Sequence, residues 1–536
     1  MSKSFFTFTI NKSTVKTIEI WLKRNTLIII VGWLVCVSVV SFAEYYKNGL
    51  GLAYNDARSH LDIGRRVVEG LKPGLAQLGS VWLPLTHILM IPTIWNDFMW
   101  HSGLSGALQS MAAFVWTGIV IYLFLKEVGV GILGRIIGLL VFILNLNILY
   151  LQSTAMTELL LLATMTTGVY ELLLWSKRGE LLNLIKSSLW IMLSTLIRYD
   201  GWFLFGVVAL LVGYTVYRKK SFSTSVGVIS LFSTLAGFGI AMWFLWNQLI
   251  FKDALYFIYG PFSAHAQQKL MEEAGVLETK SNLLMSFKVY FYALFYNSGT
   301  FTALLGMVAG ALFFFDKRIK EELRIASLAL TAPFIFNVLA LYLGHSVLFI
   351  QGISGNTWFN VRYGIMLLPT IAIFIGYLVE RAKEVRVTII GLLLLVTAFS
   401  FTSFDAVTID DALVGSSQKN VTEVANWLKE NAQDGGFILI SVASHDAIVF
   451  SSGLPMKRFI HEGTGEYWAS AVKAPDRWAQ YIIMRTNDDS DLAFRELNKA
   501  PLEEKYTLVG SYPFADVYQI KPQYLSQLTD LPQLNQ

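Results

Sequence analysis

The chain reads as a mainly α polytopic membrane protein, with about eleven transmembrane helices and a small C-terminal α/β extracytoplasmic domain. Three observations predict this class. The 536 residues are 54% hydrophobic and only 15% charged, with a mean hydropathy of +0.52, whereas soluble domains carry roughly 25% charge. Long apolar runs recur through residues 26–404, with basic residues gathered between them. After Phe404 the composition turns polar. A soluble cytosolic enzyme, a disordered chain and a nucleic-acid-binding protein are thereby excluded. The single cysteine, Cys36, excludes an intrachain disulfide and a cysteine metal site.

A spanning helix needs about 20 mostly apolar residues. Such runs lie near 26–43, 104–125, 131–150, 158–175, 180–197 and 202–217, then near 224–250, 296–315, 325–343, 362–380 and 387–404. Lys3, Lys12, Lys16, Lys23 and Arg24 precede the first run. Later basic clusters are Lys177 with Arg178; Arg218, Lys219 and Lys220; Lys317, Arg318, Lys320 and Arg324; and Arg381, Lys383 and Arg386. With eleven spans they share the side of the N-terminus, which the positive-inside rule makes cytoplasmic. Odd parity sends the C-terminus outside, as expected of a multi-pass protein of the cell membrane.

The stretch Val81 to Trp95 contains Pro84, His87 and Pro92. As a span it would invert every later basic cluster, so it reads as an interfacial or re-entrant segment. The first apolar run is too long for a signal peptide and lacks a small-residue cleavage site. The organisation is therefore a cytoplasmic segment (1–25), a membrane domain (26–404) with external loops at 44–103 and 251–295, and a soluble domain (405–536). In the last, a helix is expected near Asn420 to Glu430 and another near Asp491 to Leu497. Strands are expected at Phe437 to Ser441, at Tyr481 to Met484, and as a closing pair between Tyr506 and Ile520. It has neither a glycine-rich phosphate loop nor a nucleophile elbow.

In so apolar a chain the informative residues are polar groups where helices leave the membrane. The first external loop carries Tyr54-Asn55-Asp56-Ala57-Arg58-Ser59-His60-Leu61. Asn55 can cap a helix and Asp56 suits its first turn, so Asp56 reads either as a helix start or as a catalytic carboxylate. Asp56 and His60 share a face at i, i+4, but two ligands are too few for a metal site. Glu158 opens the fourth run, Arg198-Tyr199-Asp200-Gly201-Trp202 turns between the fifth and sixth, and Asn360-Val361-Arg362-Tyr363-Gly364 opens the tenth. Each arginine could anchor a helix at lipid headgroups, and Trp202 and Trp358 could belong to an aromatic belt. Carboxylates and cations gathered on one membrane face fit a reaction centre as well. The 251–295 loop, with Tyr256, Tyr259 and His265, reads equally as a lid or as a surface excursion.

Together these features resemble the GT-C superfamily of membrane glycosyltransferases, in particular the family 39 type that includes protein O-mannosyltransferases and lipid A aminoarabinose transferases. The likeness spans about residues 26–404. It is carried by the Tyr54-to-Leu61 motif, Thr157-Glu158, the Arg198-to-Trp202 turn and Val361-Arg362-Tyr363-Gly364. The resemblance implies transfer of a sugar from a polyprenyl-phosphate donor to an acceptor hydroxyl of a glycan, protein or lipid on the outer face. It places Asp56 as general base and Glu158 as the second acid, orienting acceptor or sugar. Relatives often pair two acids where this chain has Asn55-Asp56-Ala57, and a cation beside the proline where it has Trp82-Leu83-Pro84-Leu85.

The leaving group would be a lipid phosphate, which calls for fixed positive charge. Arg362 and Arg198 are the guanidinium candidates, with His87 a third. Tyr54, His60, Asp200 and Trp358 are the candidate substrate contacts. No cofactor is required, and the ligand count does not support a divalent metal. The competing readings are a multi-span transporter, which would show internal repeats and midplane charges, and a non-catalytic assembly or receptor protein.

Overall fold

Backbone in hydrocarbon has no water to bond, so apolar runs resolve into helices. The computed structural model describes residues 12–260, 263–414, 418–497, 502–513 and 515–529, and Lys3 lies outside them. The first half of the bundle contains α1 (Lys12–Lys47), α2 (Asn55–Val68), α3 (Leu85–Ile94), α4 (Asp97–His101) and α5 (Leu104–Glu127). It continues through α6 (Ile132–Ile143), α7 (Leu146–Leu151), α8 (Glu158–Arg178), α9 (Leu181–Thr195), α10 (Asp200–Lys219) and α11 (Phe222–Phe251). Next come α12 (Tyr256–Tyr259), α13 (Ala264–Glu273), α14 (Leu283–Ser298), α15 (Thr300–Phe315), α16 (Glu321–Ser327) and α17 (Ala332–Tyr342). A 3₁₀ turn, Val361–Leu367, leads into α18 (Leu368–Arg381), followed by α19 (Arg386–Ser403) and α20 (Val407–Val414).

All eleven expected runs are helical, but they are not equal. Among the described residues, eight helical stretches are long and apolar enough to cross a membrane, and a ninth exists if α14 and α15, bent by 110°, count as one. The expected span at 131–150 is broken. Asn145 accepts from the Ile148 amide and starts α7 afresh, so α6 has only 12 residues, about 18 Å at 1.5 Å per residue. The expected span at 180–197 is the 15-residue α9. At 296–315 the helix breaks at Gly299, whose φ of 76° ends α14. The proline-bearing stretch forms the ten-residue α3, too short to cross, and the Leu85 amide bonds the Leu196 carbonyl between α9 and α10.

Close packing requires small residues at the crossings. α6 lies against α18, where a Cβ on Gly138 would sit 2.7 Å from the Ala372 carbonyl oxygen. α14 packs on the 3₁₀ turn, where a Cβ on Gly364 would sit 2.2 Å from the Ala293 carbonyl oxygen. The helix directions then separate two kinds of charge. α8 begins at Glu158 and ends at Lys177 and Arg178; α10 begins at Asp200 and ends at Arg218 and Lys219; the Val361–Arg381 stretch begins beside Arg362. An acid–arginine end and a basic end are therefore about 30 Å apart on the same helices. At the basic end Glu127 pairs with both Lys177 and Arg178 and Glu322 with Lys219.

The C-terminal part folds around a five-stranded sheet of order β2-β1-β3-β5-β4. Its strands are β1 (Phe437–Ile440), β2 (Phe459–Ile460), β3 (Ala479–Met484), β4 (Tyr506–Ser511) and β5 (Asp516–Ile520). β2, β1 and β3 run parallel, and β5 and β4 add antiparallel. The continuous apolar reading of β1 and β3 reflects burial on both faces. The two-residue β2 escaped the sequence reading because it is too short to show a period. Leu71, from the segment between α2 and α3, enters the core of this sheet, and Arg66 of α2 pairs with Asp446 at 3.4 Å.

Gly364→Ala is expected to push α14 off the 3₁₀ turn, since the contact is backbone rather than a movable side chain. Thermal unfolding in detergent should show a loss of about 1–3 kcal/mol.

Candidate active site

Five segments distant in sequence bring their polar residues to one place at the acid–arginine end. Tyr54 occupies the N-cap position of α2, so Asn55 is the first helical residue rather than the cap expected of it. Asp56 lies in the first turn of α2, where the partial positive charge of the helix terminus favours a carboxylate. Glu158 likewise opens α8 and Asp200 opens α10. Arg362 sits in the 3₁₀ turn before α18.

Arg362 is the hub. Its Nη2 donates to Asp56 Oδ2 at 2.5 Å and its Nε to Glu158 Oε1 at 3.1 Å. Its Nη1 lies 3.7 Å from Asp411 Oδ2. Arg198 shares Glu158 Oε1 through Nη1 at 3.3 Å and donates from Nε to Asp200 Oδ2 at 3.2 Å. The rings of Tyr54 and Tyr363 lie 4.9 and 5.4 Å from the Arg362 guanidinium, and Arg198 lies 4.6 Å from Tyr363. Counted as ionised, Asp56, Glu158, Asp200 and Asp411 exceed the two guanidiniums by two negative charges.

Burial is uneven. The Glu158 side chain is 0% exposed and Arg362 6%, Asp411 and Asp200 each 3%, but Asp56 is 38% exposed. Asp56 is therefore the open edge of the cluster. Two buried carboxylate oxygens, Glu158 Oε2 and Asp200 Oδ1, have no hydrogen-bond partner among the described residues. Such a vacancy costs on the order of 1–3 kcal/mol unless a ligand donor fills it.

His60 and His87 form a pair beside this network, Nδ1 to Nε2 at 2.9 Å, with Trp82 at 4.6 Å from the His60 ring. One imidazole donates and the other accepts. His60, on α2 and outside the membrane-spanning helices, is held down to about 3 from an ordinary 6.5, first by burial and then by Arg362 and Arg198. His87 is fully buried and bonds His60 rather than standing open beside the arginines. Trp358 packs edge-on against Tyr296 at 5.0 Å and takes no part in the ion-pair network among the described residues. The 251–295 loop inserts Phe257 into an aromatic cluster, stacked on Tyr199 at 6.0 Å.

Two kinds of residue in this site went unread in the sequence. Asp411 arrives from α20 and accepts from the Tyr54 hydroxyl at 3.0 Å, 357 residues away. Behind it runs a chain of amides. The Thr408 amide and hydroxyl both donate to Asn147 Oδ1, at 3.0 and 2.8 Å. Asn147 and Asn145 donate to the Asn297 carbonyl at 3.1 and 2.7 Å. Asn297 donates to the Val361 carbonyl at 2.7 Å, one residue before Arg362. The only available signal was the rarity of asparagine within apolar runs.

No protein-family model and no curated protein sequence matches the chain. Its fold does match solved structures. ArnT from Cupriavidus metallidurans, bound to undecaprenyl phosphate, superposes with a TM-score of 0.53 at 10% identity, over 92% of this chain and 99% of that one. The same protein in the apo state gives 0.52 at 11% identity, over 92% and 98%. The Archaeoglobus fulgidus oligosaccharyltransferase in the apo form gives 0.50 at 11% identity, over 86% and 70%. The chain shares the fold of these structures, the GT-C fold, as the sequence resemblance implied.

Removing Arg362 leaves buried Glu158 sharing Arg198 with Asp200, and buried Asp411 with the Tyr54 hydroxyl in place of a cation. Arg362→Ala is expected to cost about 3–5 kcal/mol of thermal stability, with Arg362→Lys recovering part of it because the charge survives but the fork does not. A second expectation concerns pH. His60 binds a proton near 6.5 when unfolded but only near 3 when folded, so the unfolded state binds more protons between these values and stability falls as pH falls through that window. His60→Gln should flatten the slope of stability against pH between pH 6.5 and 5 by about one proton, measured by unfolding across a pH series.

Proposed function

We propose that the chain is an integral-membrane glycosyltransferase of the cell membrane, moving a sugar from a polyprenyl-phosphate donor to an acceptor hydroxyl on the extracytoplasmic face. The observation that carries this reading is the convergence of Asp56, Glu158, Arg198 and Arg362 on one partly open cluster. The site end lies opposite the basic helix ends, and the positive-inside rule makes the latter cytoplasmic. The N-terminus is then cytoplasmic, and the soluble tail (405–536) faces outward with the site.

The chemistry assigns the roles. Asp56, the exposed carboxylate, takes the proton of the acceptor hydroxyl as its oxygen attacks the anomeric carbon. The bond from that carbon to the phosphate oxygen breaks, and its electron pair leaves on polyprenyl phosphate. Arg362 and Arg198 face the charge developing on that phosphate, where fixed cations in a water-poor site act most strongly. The reading therefore needs no metal ion. Glu158 Oε2 and Asp200 Oδ1 accept from sugar hydroxyls, which explains two buried acceptors without partners. Tyr54 and the His60–His87 pair shape the wall around them.

The lipid tail has a place to go. An apolar cavity of about 280 Å³ opens between α14, α15, α17 and α18, with Gly306, Gly310, Phe334 and Phe374 in its walls. Leu367 and Thr370 also line it, on the same helical stretch that begins beside Arg362. The fold match to ArnT bound to undecaprenyl phosphate supports a donor of this class.

Asp56→Asn is nearly isosteric and keeps the fold. It should reduce sugar transfer from a lipid-linked donor by about 10²–10⁴-fold while thermal stability stays near wild type. Transfer retained at the wild-type rate would remove Asp56 as the base.

A further inference from the structure

We infer that Asp56 and the donor phosphate compete for the same nitrogen of Arg362, so that donor binding is the event that frees the base. The inference rests on the proposed function and adds an order of binding to it, donor before acceptor.

The geometry of one guanidinium carries the argument. Each nitrogen of Arg362 faces a carboxylate: Nε faces Glu158, Nη1 faces Asp411 and Nη2 faces Asp56. Tyr54 and Tyr363 lie against the same group. A phosphate therefore gains an Arg362 fork only where a carboxylate gives way.

Burial decides which carboxylate leaves. Glu158 has no exposed surface, so water cannot replace the guanidinium there, and separating the two would leave the buried charge to Arg198, which Asp200 also claims. Asp411 is almost as buried and is also tied to the Tyr54 hydroxyl. Its helix is pinned through Thr408 to Asn147. The backbone beside Arg362 is pinned through Asn297. Among the described carboxylates around Arg362, Asp56 alone is more than a third exposed, so water can replace the guanidinium that it loses. Arg362 is thus a fixed post, and Asp56 is the partner that exchanges.

The exchange links binding to chemistry. With Nη2 on Asp56, one lone pair of Oδ2 and the orientation of the carboxylate are committed to the guanidinium rather than to an acceptor hydroxyl. With Nη2 on phosphate, that oxygen is open and the leaving group is already held. The resting protein keeps its base engaged until the donor is present.

The test is the affinity of the full-length protein in lipid nanodiscs for a polyprenyl phosphate, compared with the matched polyprenol that lacks the phosphate. Asp56→Asn should tighten polyprenyl phosphate by roughly tenfold and leave the polyprenol unchanged. The gain should vanish in an Arg362→Lys background. Asp411→Asn, which removes the same charge from the opposite nitrogen, should give no such gain. An unchanged or weakened affinity in Asp56→Asn overturns the exchange, and so does an equal gain from Asp411→Asn, which would mark a bulk charge effect. A wild-type protein that binds polyprenyl phosphate no better than polyprenol overturns the proposed function itself. Preferential phosphate binding without a gain in Asp56→Asn overturns only the exchange.

Discussion

One guanidinium, that of Arg362, ties together segments that the chain keeps far apart. It meets Asp56 across 306 residues and Glu158 across 204, and it faces Asp411 on the helix that follows α19. An ion-pair network of this kind is weak evidence for stability, because desolvation consumes much of the Coulombic gain. Its value is positional. Once the guanidinium is buried, its buried partners Glu158 and Asp411 have to stay, and the start of α8 and the helix α20 are held at one end of the bundle.

The surrounding structure serves that constraint. The breaks that spoil α6–α7 and α14–α15 as simple spans fall at Asn145 and Gly299. The amides near those breaks, Asn145, Asn147 and Asn297, satisfy backbone and hydroxyl groups around the Arg362 turn. Irregular backbone within a membrane bundle persists where protein partners re-satisfy it, and here the partners are these asparagines. Elsewhere on α2, Arg66 meets Asp446 and the Trp100 indole of α4 donates to Asp62 at 2.9 Å. One short helix therefore presents Asp56 and His60 to the cluster and meets the C-terminal sheet domain through Arg66.

Much of this was legible in the sequence, for a physical reason. A bilayer leaves apolar runs one common solution, so their positions and the basic residues between them could be read residue by residue. The same setting makes isolated charges conspicuous, and Asp56, Glu158, Arg198, Asp200 and Arg362 were singled out for that reason. What escaped depends on tertiary neighbours. Asp411 lies a few residues into the polar tail, behind Asp405 and Asp410, where nothing in the sequence sets it apart; the packing of α20 on α7 brings it to Tyr54. Asn147 and Asn297 are single amides inside apolar stretches, and their meaning lies in which carbonyl each reaches. Trp358 was chosen by residue type, whereas an aromatic neighbour, Tyr296, accounts for its packing. His87 was chosen as a cation beside phosphate, yet its partner is His60.

The central claim is that the Arg362 cluster is where a lipid phosphate and a sugar meet. The most direct measurement is an electron cryomicroscopy structure of the wild-type protein with a polyprenyl phosphate bound. The expected result places the phosphate about 3 Å from the Arg362 guanidinium, with Arg198 adjacent, the tail in the cavity lined by Phe334 and Phe374, and Asp56 turned away. Phosphate density elsewhere, with the Asp56–Arg362 pair intact, would contradict it.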